Sequence, residues 1–141
     1  MEELYAILKL RTDVFAVEQQ AVYQDLDGKD QAAMHLMGHD EGRLVAYCRL
    51  IPAGVAFSEA SIGRVVTAAT HRNTGTGKLL FQQALDLCRE YFGELPIRIG
   101  AQRYLTGFYS SFGFELAGPV YLEDGIEHVH MVRKGGGNVQ Q

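Results

Sequence analysis

The sequence of 141 residues predicts one mixed α/β domain. Three observations carry that expectation. Apolar residues recur at helical spacing at the front of the chain and again between Gly77 and Gly93. Short β-branched runs, bounded by glycine turns, lie between and after these helices. Helical and strand-like segments interleave without an internal repeat or long linker, the pattern of helices laid against a sheet. With 47% apolar and 10% aromatic residues the chain is long enough to bury a substantial core.

The segment EELYAILKLRTDVFAVEQQ places Leu4, Ile7, Leu8, Val14 and Phe15 near helical spacing with charges between them, which predicts one or two amphipathic helices. VYQDLDGKD breaks the pattern. MHLMGHDEGRLVAYCRLI has two apolar runs on either side of Asp40-Glu41-Gly42, which predicts an antiparallel hairpin. PAGVAFSEA reads as a loop. SIGRVVT reads as a strand in which Gly63 marks a bulge or a close backbone approach. The next helix carries Leu80, Ala84, Leu87, Cys88 and Tyr91 inward and stops at Gly93. LPIRIGA is a strand, and RYLTGFYSSF is a short helix ended by Gly113. FELAGPVYL and EHVHMVR are strands around the turn Glu123-Asp124-Gly125. The domain is expected to span 1–134, and the tail 135–141 to be disordered.

Charge and cysteine content narrow the functional classes. Thirteen Lys and Arg against seventeen Asp and Glu give a net charge of −4, so no global attraction to nucleic acid or anionic membrane is expected. Any anion site must be local. Cys48 and Cys88 sit in apolar runs without metal-ligand spacing, which predicts buried, reduced thiols in a cytoplasmic protein. Neither a leader peptide nor an apolar run of about 18 residues is visible.

HRNTGTGKLL, residues 71–80, carries the first chemical signal. GTGK resembles the end of a P-loop, but the first glycine of that motif would fall on Arg72 and its magnesium-binding Ser/Thr on Leu79. A dinucleotide fingerprint fails as well, because Leu80 stands at the third glycine. What remains is Arg72-x-x-Gly75-x-Gly77 between a strand and a helix. There, unpaired backbone N–H groups and the positive end of the helix dipole suit a pyrophosphate, with Arg72 and Lys78 adding charge. An ordinary strand-to-helix turn would use the same glycines.

YQDLDGKD is not a calcium loop, since Tyr23 would have to be its first ligand and Met34 its twelfth. Tyr23, Asp25 and Asp27, with Glu18 upstream, form either an acidic, aromatic-edged wall for an ammonium substrate or a solvated turn. His128 and His130 share one face of a strand, but no third residue has metal-ligand spacing, so no metal is expected.

QRYLTGFYSSFGF places Gln102 seven residues before Tyr109 and closes on Phe112-Gly113-Phe114. Together with Arg72-x-x-Gly75-x-Gly77 one strand earlier, this resembles the GNAT acetyltransferase superfamily. LYAILKLRTDVFAVEQ, YQDLDGKD, IGRVV, GAQ, FYSSFGF and YLEDGIEHVHM are similar, more narrowly, to the ElaA family within it. The likeness runs from about residue 4 to 133. Gln102 and Leu105 replace the superfamily's usual Asn and Ala, Thr67 replaces a common Val, and EQQAVYQ departs from the usual Asn-Cys-Pro.

The resemblance implies a central, mostly antiparallel sheet, splayed between the superfamily's fourth and fifth strands, with helices on both faces. The superfamily's first strand normally precedes its first helix. This sequence opens in the helical block, so that strand is either absent or lies before the start given.

It further implies acetyl-CoA as co-substrate and a primary amine as acceptor, with no nucleic acid, membrane or metal partner. Val65, Val66 and Thr67 would meet the pantetheine and thioester through backbone groups. Arg72, Asn73, Thr74, Gly75, Thr76, Gly77 and Lys78 would cradle the pyrophosphate, and Gln102 would border the cofactor. Tyr109 would protonate the leaving thiolate. Glu18 and His128 are the two candidates for general base, imidazole being the side chain that changes charge near neutrality. Glu18, Tyr23, Asp25 and Asp27 would receive the acceptor. A non-catalytic acyl-CoA-binding module on the same fold is the alternative, and a free strand edge leaves room for a homodimer.

Overall fold

The structure, a computed structural model, describes residues 1–18 and 27–135, with the backbone alone for 16–18. Helix α1 (Glu2–Arg11) continues into a π-helical segment, Thr12–Glu18. Ile7, Leu10, Val14 and Phe15 make its buried stripe, which packs with Tyr47 and Val66. Leu4, expected inward, is half exposed, because the helix meets the sheet mainly through its later turns.

Strands β1 (Met34–Asp40) and β2 (Arg43–Ile51) form the expected antiparallel hairpin. Glu41 and Gly42, at φ 50° and 80°, supply the left-handed pair of a tight hairpin turn. Strand β3 (Ser61–Thr67) pairs with β2, and its register slips because Tyr47 faces Val66 while Arg49 faces Gly63. One extra residue is thus accommodated in β3, and Arg64 adopts φ 52°. The bulge expected at Gly63 is therefore present, with the left-handed residue immediately after the glycine.

Helix α2 (Thr76–Phe92) follows β3 and ends at Gly93, whose φ of 85° lets the chain leave the helix. Its buried stripe is Leu80, Phe81, Ala84, Leu85 and Cys88. Tyr91, expected inward, is mostly exposed; the helix is rotated so that Phe81 and Leu85 face the core instead. Strand β4 (Ile97–Gln102) leads through a short 3₁₀ turn into α3 (Thr106–Ser110), and Gly113 ends that turn at φ 92°. Strands β5 (Glu115–Leu116) and β6 (Tyr121–Glu123) both pair with one edge of β7 (Ile126–Arg133), whose other edge pairs with β4.

Two sheets result, β1-β2-β3 and β4-β7-β5 with β6 beside the start of β7. They meet where β3 and β4 run parallel, through the bridge Ala60–Ile97 and the bond from the Arg98 N–H to the Ala60 carbonyl, 2.9 Å. Beyond that bridge the strands part. This is the splay expected between the superfamily's fourth and fifth strands, which are the third and fourth of the described chain. The larger core lies between the sheets and α2 and α3, while α1 covers the opposite face of the first sheet.

Candidate active site

The cleft between β3 and β4 has backbone for walls. Past Ala60 and Ile97 the facing edges form no ladder with one another or with another described strand, so their polar groups suit a ligand lying between them. The cleft opens toward Val65, Val66 and Thr67 on one side and Gln102 on the other. Val66 is buried, fixing the strand against α1 from behind. Gln102 is half-buried at the end of β4, paired across the sheet with His128.

At the open end of β3 the chain turns through Ala69–His71 into the loop that precedes α2. Asn73 at φ 61° and Gly75 at φ 86° are left-handed, and Gly75 stands at the N-cap of α2 without a capping side chain. The Leu79 N–H is bonded to the Gly75 carbonyl at 3.0 Å, so the N–H groups of Thr76, Gly77 and Lys78 have no helical acceptor. Together with the dipole of a 17-residue helix they are a donor set chemically suited to an anion. Thr74 braces the loop by donating to the His71 carbonyl at 2.6 Å, and its hydroxyl lies 2.8 Å from that of Thr76. Gly77 allows the first turn to approach β3, since a Cβ there would stand 3.4 Å from Thr67 Oγ1. Arg72 is exposed and donates from Nε to the Thr67 carbonyl at 3.1 Å, and Lys78 is exposed on the first turn.

Tyr109 packs from α3 into the core beside Ile99 and Ala101 of β4. Its ring stands edge-on to Phe81 and Phe108, with centroids 5.2 Å away in both cases, and it is 7% exposed. Burial pushes its phenol well above the ordinary tyrosine value, with smaller contributions from Cys48 and Tyr104. The hydroxyl therefore stays protonated at neutral pH and is a donor. The turn Phe112-Gly113-Phe114 folds back so that the Phe112 and Phe114 N–H groups both reach the Tyr109 carbonyl, which holds the backbone of this residue from below.

On the opposite face, His128 is 8% exposed and its Nδ1 lies 2.8 Å from the Ile126 carbonyl. A carbonyl only accepts, so Nδ1 carries the proton and Nε2 keeps a basic lone pair. His130 has the reverse arrangement. Arg98 Nη1 donates to its Nδ1 at 3.1 Å, leaving its proton on Nε2.

Asp27 is held by arginines of the first sheet. Arg49, 3% exposed in the middle of β2, grips it with Nη2–Oδ2 at 2.5 Å and Nη1–Oδ1 at 2.9 Å, and also reaches Asp30 Oδ1 at 3.0 Å. Arg11, 1% exposed, holds the same Asp30 oxygen at 2.9 Å, and Arg64 lies 3.5 Å from Asp27. The hydrogen bonds from Arg49 hold the Asp27 carboxyl far below the usual carboxylate range, against an opposing push from burial. For Asp30, burial pushes upward most strongly, but the bonds from Arg11 and Arg49 together prevail and the carboxyl is lowered. Asp27 is thus a carboxylate committed to arginine. Tyr23, Asp25 and the side chain of Glu18 lie outside the described residues.

Arg49, Asp30, Arg98 and Tyr121 were not singled out from the sequence. An arginine inside the apolar run VAYCRLI was the available signal for the first. Among the described residues no group of three or more His, Cys, Asp and Glu side chains converges on a possible metal position.

Residues 7–134 match the profile of an acetyltransferase (GNAT) domain. The chain belongs to the GNAT superfamily, in its ElaA-like branch. Over 136 residues it is 39% identical to the protein ElaA of Escherichia coli K12, covering 95% of this chain and 89% of that protein. An acyl-CoA N-acyltransferase of Pseudomonas aeruginosa is similar in structure with a TM-score of 0.88 at 41% identity, over 93% of this chain and 89% of the other. An aminoglycoside 6'-N-acetyltransferase complexed with coenzyme A shares the GNAT fold at a TM-score of 0.68 and 14% identity, over 92% and 88% of the two chains.

Proposed function

We propose that this GNAT protein transfers the acetyl group of acetyl-CoA directly to a primary amine. The single observation that carries the reading is the alignment of one cleft with two ends of suitable chemistry. The uncapped, glycine-turned start of α2 follows the open end of β3, and Tyr109, kept protonated by burial, packs in the core with Ile99 and Ala101 of β4. Open N–H donors at residues 76–78 suit a pyrophosphate, and the unpaired edges of β3 and β4 suit the amides of a pantetheine arm. The relative complexed with coenzyme A supports the choice of cofactor at the level of the fold.

Bound acetyl-CoA supplies an activated thioester. Backbone N–H groups near Val66 stabilise the oxygen as negative charge develops on it, and Tyr109 gives its proton to the departing sulfur. The environment that keeps Tyr109 protonated also makes its anion costly, so donation is expected only once thiolate charge forms beside it. His128 takes the proton released by the amine at Nε2, the nitrogen its bond to Ile126 leaves basic. Asp27, tied up by Arg49, is assigned to holding the end of the loop before β1, and does not act as a base. The free, buried Cys48 and Cys88 fit a reducing, cytoplasmic compartment.

The test adds acetyl-CoA to the protein with a panel of primary amines, peptides and aminoglycosides and follows free thiol. Acceptor-dependent thiol release is expected. A thermal shift with acetyl-CoA but no release across the panel would favour a binding module, and a shift with ATP but not CoA would sink the family-level reading of the loop.

A further inference from the structure

Tyr121 sets its hydroxyl over Gly100, at the level where β3 and β4 begin to part. Ala60 and Ile97 form the parallel bridge, so three residues further along both strands Gly63 and Gly100 stand at the same level, where the gap begins. Both lack side chains on the face turned away from α2. Gly63 pairs with Arg49, whose Nε would be 3.7 Å from a Cβ at residue 63. Gly100 pairs with His130, and a Cβ there would come within 2.8 Å of the Tyr121 hydroxyl. That spacing is too short for two such atoms, so Gly100 is what admits the hydroxyl to the cleft floor.

The position of Tyr121 is well supported. β6 pairs Tyr121 with His128, and the turn that returns the chain into β7 uses Asp124 and Gly125 at φ 53° and 78°. The ring stacks on His128 with centroids 5.8 Å apart and meets His130 edge-on at 5.1 Å. His130 is tied through Arg98 to Glu59, with Arg98 Nε 3.1 Å from Glu59 Oε1. The ring is thus held by both histidines, and among the described residues no hydrogen bond to its hydroxyl is found. A braced phenol with an uncommitted oxygen, beside an imidazole with an uncommitted nitrogen, is suited to receive an N–H group from outside.

Resting on the acetyl-transfer reading, we propose that Tyr121 positions the acceptor. Its hydroxyl oxygen accepts a hydrogen bond from the attacking amine and holds the nitrogen on the side of the thioester turned away from α2, opposite Tyr109. As the nitrogen–carbon bond forms and the carbon–sulfur bond breaks, the amine's departing proton passes to His128 Nε2. The sulfur takes the proton of Tyr109. The acceptor is a neutral primary amine on a slim substituent, because the space above Gly100 is already occupied.

The experiment measures acceptor KM at saturating acetyl-CoA, and the acetyl-CoA Kd separately, for Tyr121→Phe, Gly100→Ala and the double variant. Tyr121→Phe is expected to raise the amine KM about fivefold to tenfold, the loss of one hydrogen bond, and to leave the acetyl-CoA Kd unchanged. Gly100→Ala pushes the hydroxyl aside and gives the same rise. The double variant is no worse than either single one, because phenylalanine lacks the atom that the methyl group strikes. An unchanged amine KM in Tyr121→Phe overturns the proposal, as does a double variant whose effects multiply. Acetyl-CoA binding without thiol release from any amine in the unaltered protein instead overturns the transfer reading, and the proposal with it.

Discussion

Replacing Arg49 with methionine keeps most of the volume and removes the charge that Asp27 and Asp30 share. The cost follows from what is left behind. Asp27 keeps Lys29 at 3.8 Å and Arg64 at 3.5 Å, and Asp30 keeps Arg11 at 2.9 Å. Breaking a buried ion pair from one side costs about 3–5 kcal/mol. Both carboxylates retain a cation and are about a fifth exposed, at 21% and 22%, so the lower end, about 3 kcal/mol, is expected. For a chain of this length that is roughly a 10 °C fall in Tm.

The pH dependence adds a second criterion. Both carboxyls are lowered in the folded state, so their stabilisation is fully present above the ordinary aspartate value of about 3.9 and is lost as pH falls through the folded values. Chemical denaturation of both proteins between neutral pH and pH 3 should therefore show the largest gap near neutrality and a shrinking one below about pH 4. A loss below about 1 kcal/mol at pH 7, or a gap that does not change with pH, would refute the assignment of this cluster as a charge-paired anchor.

Tyr109→Phe should lower turnover about a hundredfold, as expected for a lost general acid, with acetyl-CoA affinity unchanged by calorimetry. Unaltered turnover would remove its role. Gly75→Ala should weaken acetyl-CoA binding roughly tenfold, because φ 86° is strained for alanine and its relief misaligns the N–H donors; equal affinity would argue against the cradle. Burial pushes the Cys88 thiol up to about 12, and Cys48 higher still. Neither should react with a thiol reagent in the native protein at pH 8, while two thiols per chain react after denaturation; rapid native labelling would contradict the packing.

Features set by short-range rules were legible before folding was considered. Asp40-Glu41-Gly42, Glu123-Asp124-Gly125 and Gly93 specify turns and a helix end through local φ preferences, and all lie where expected. Gly63 signalled the bulge for the same reason. Where burial depended on helix rotation, the pattern was insufficient: Leu80 and Ala84 face inward, but Phe81 and Leu85 replace Tyr91 in the buried stripe.

The sequence by itself determined the element order, the glycine-turned loop before α2, and the placement of a tyrosine after β4, because each depends on residues within a few positions of one another. Only the tertiary structure decided what those elements face. Asp27 is separated from Arg49 by 22 residues and from Arg64 by 37, so no local pattern reveals that its charge is already taken. Gly100 and Tyr121 become neighbours because β6 and β4 flank β7 on opposite edges, and this brings an uncommitted hydroxyl over the cleft. Backbone preference acts between adjacent residues, whereas charge pairing and steric exclusion act between whatever the fold brings together.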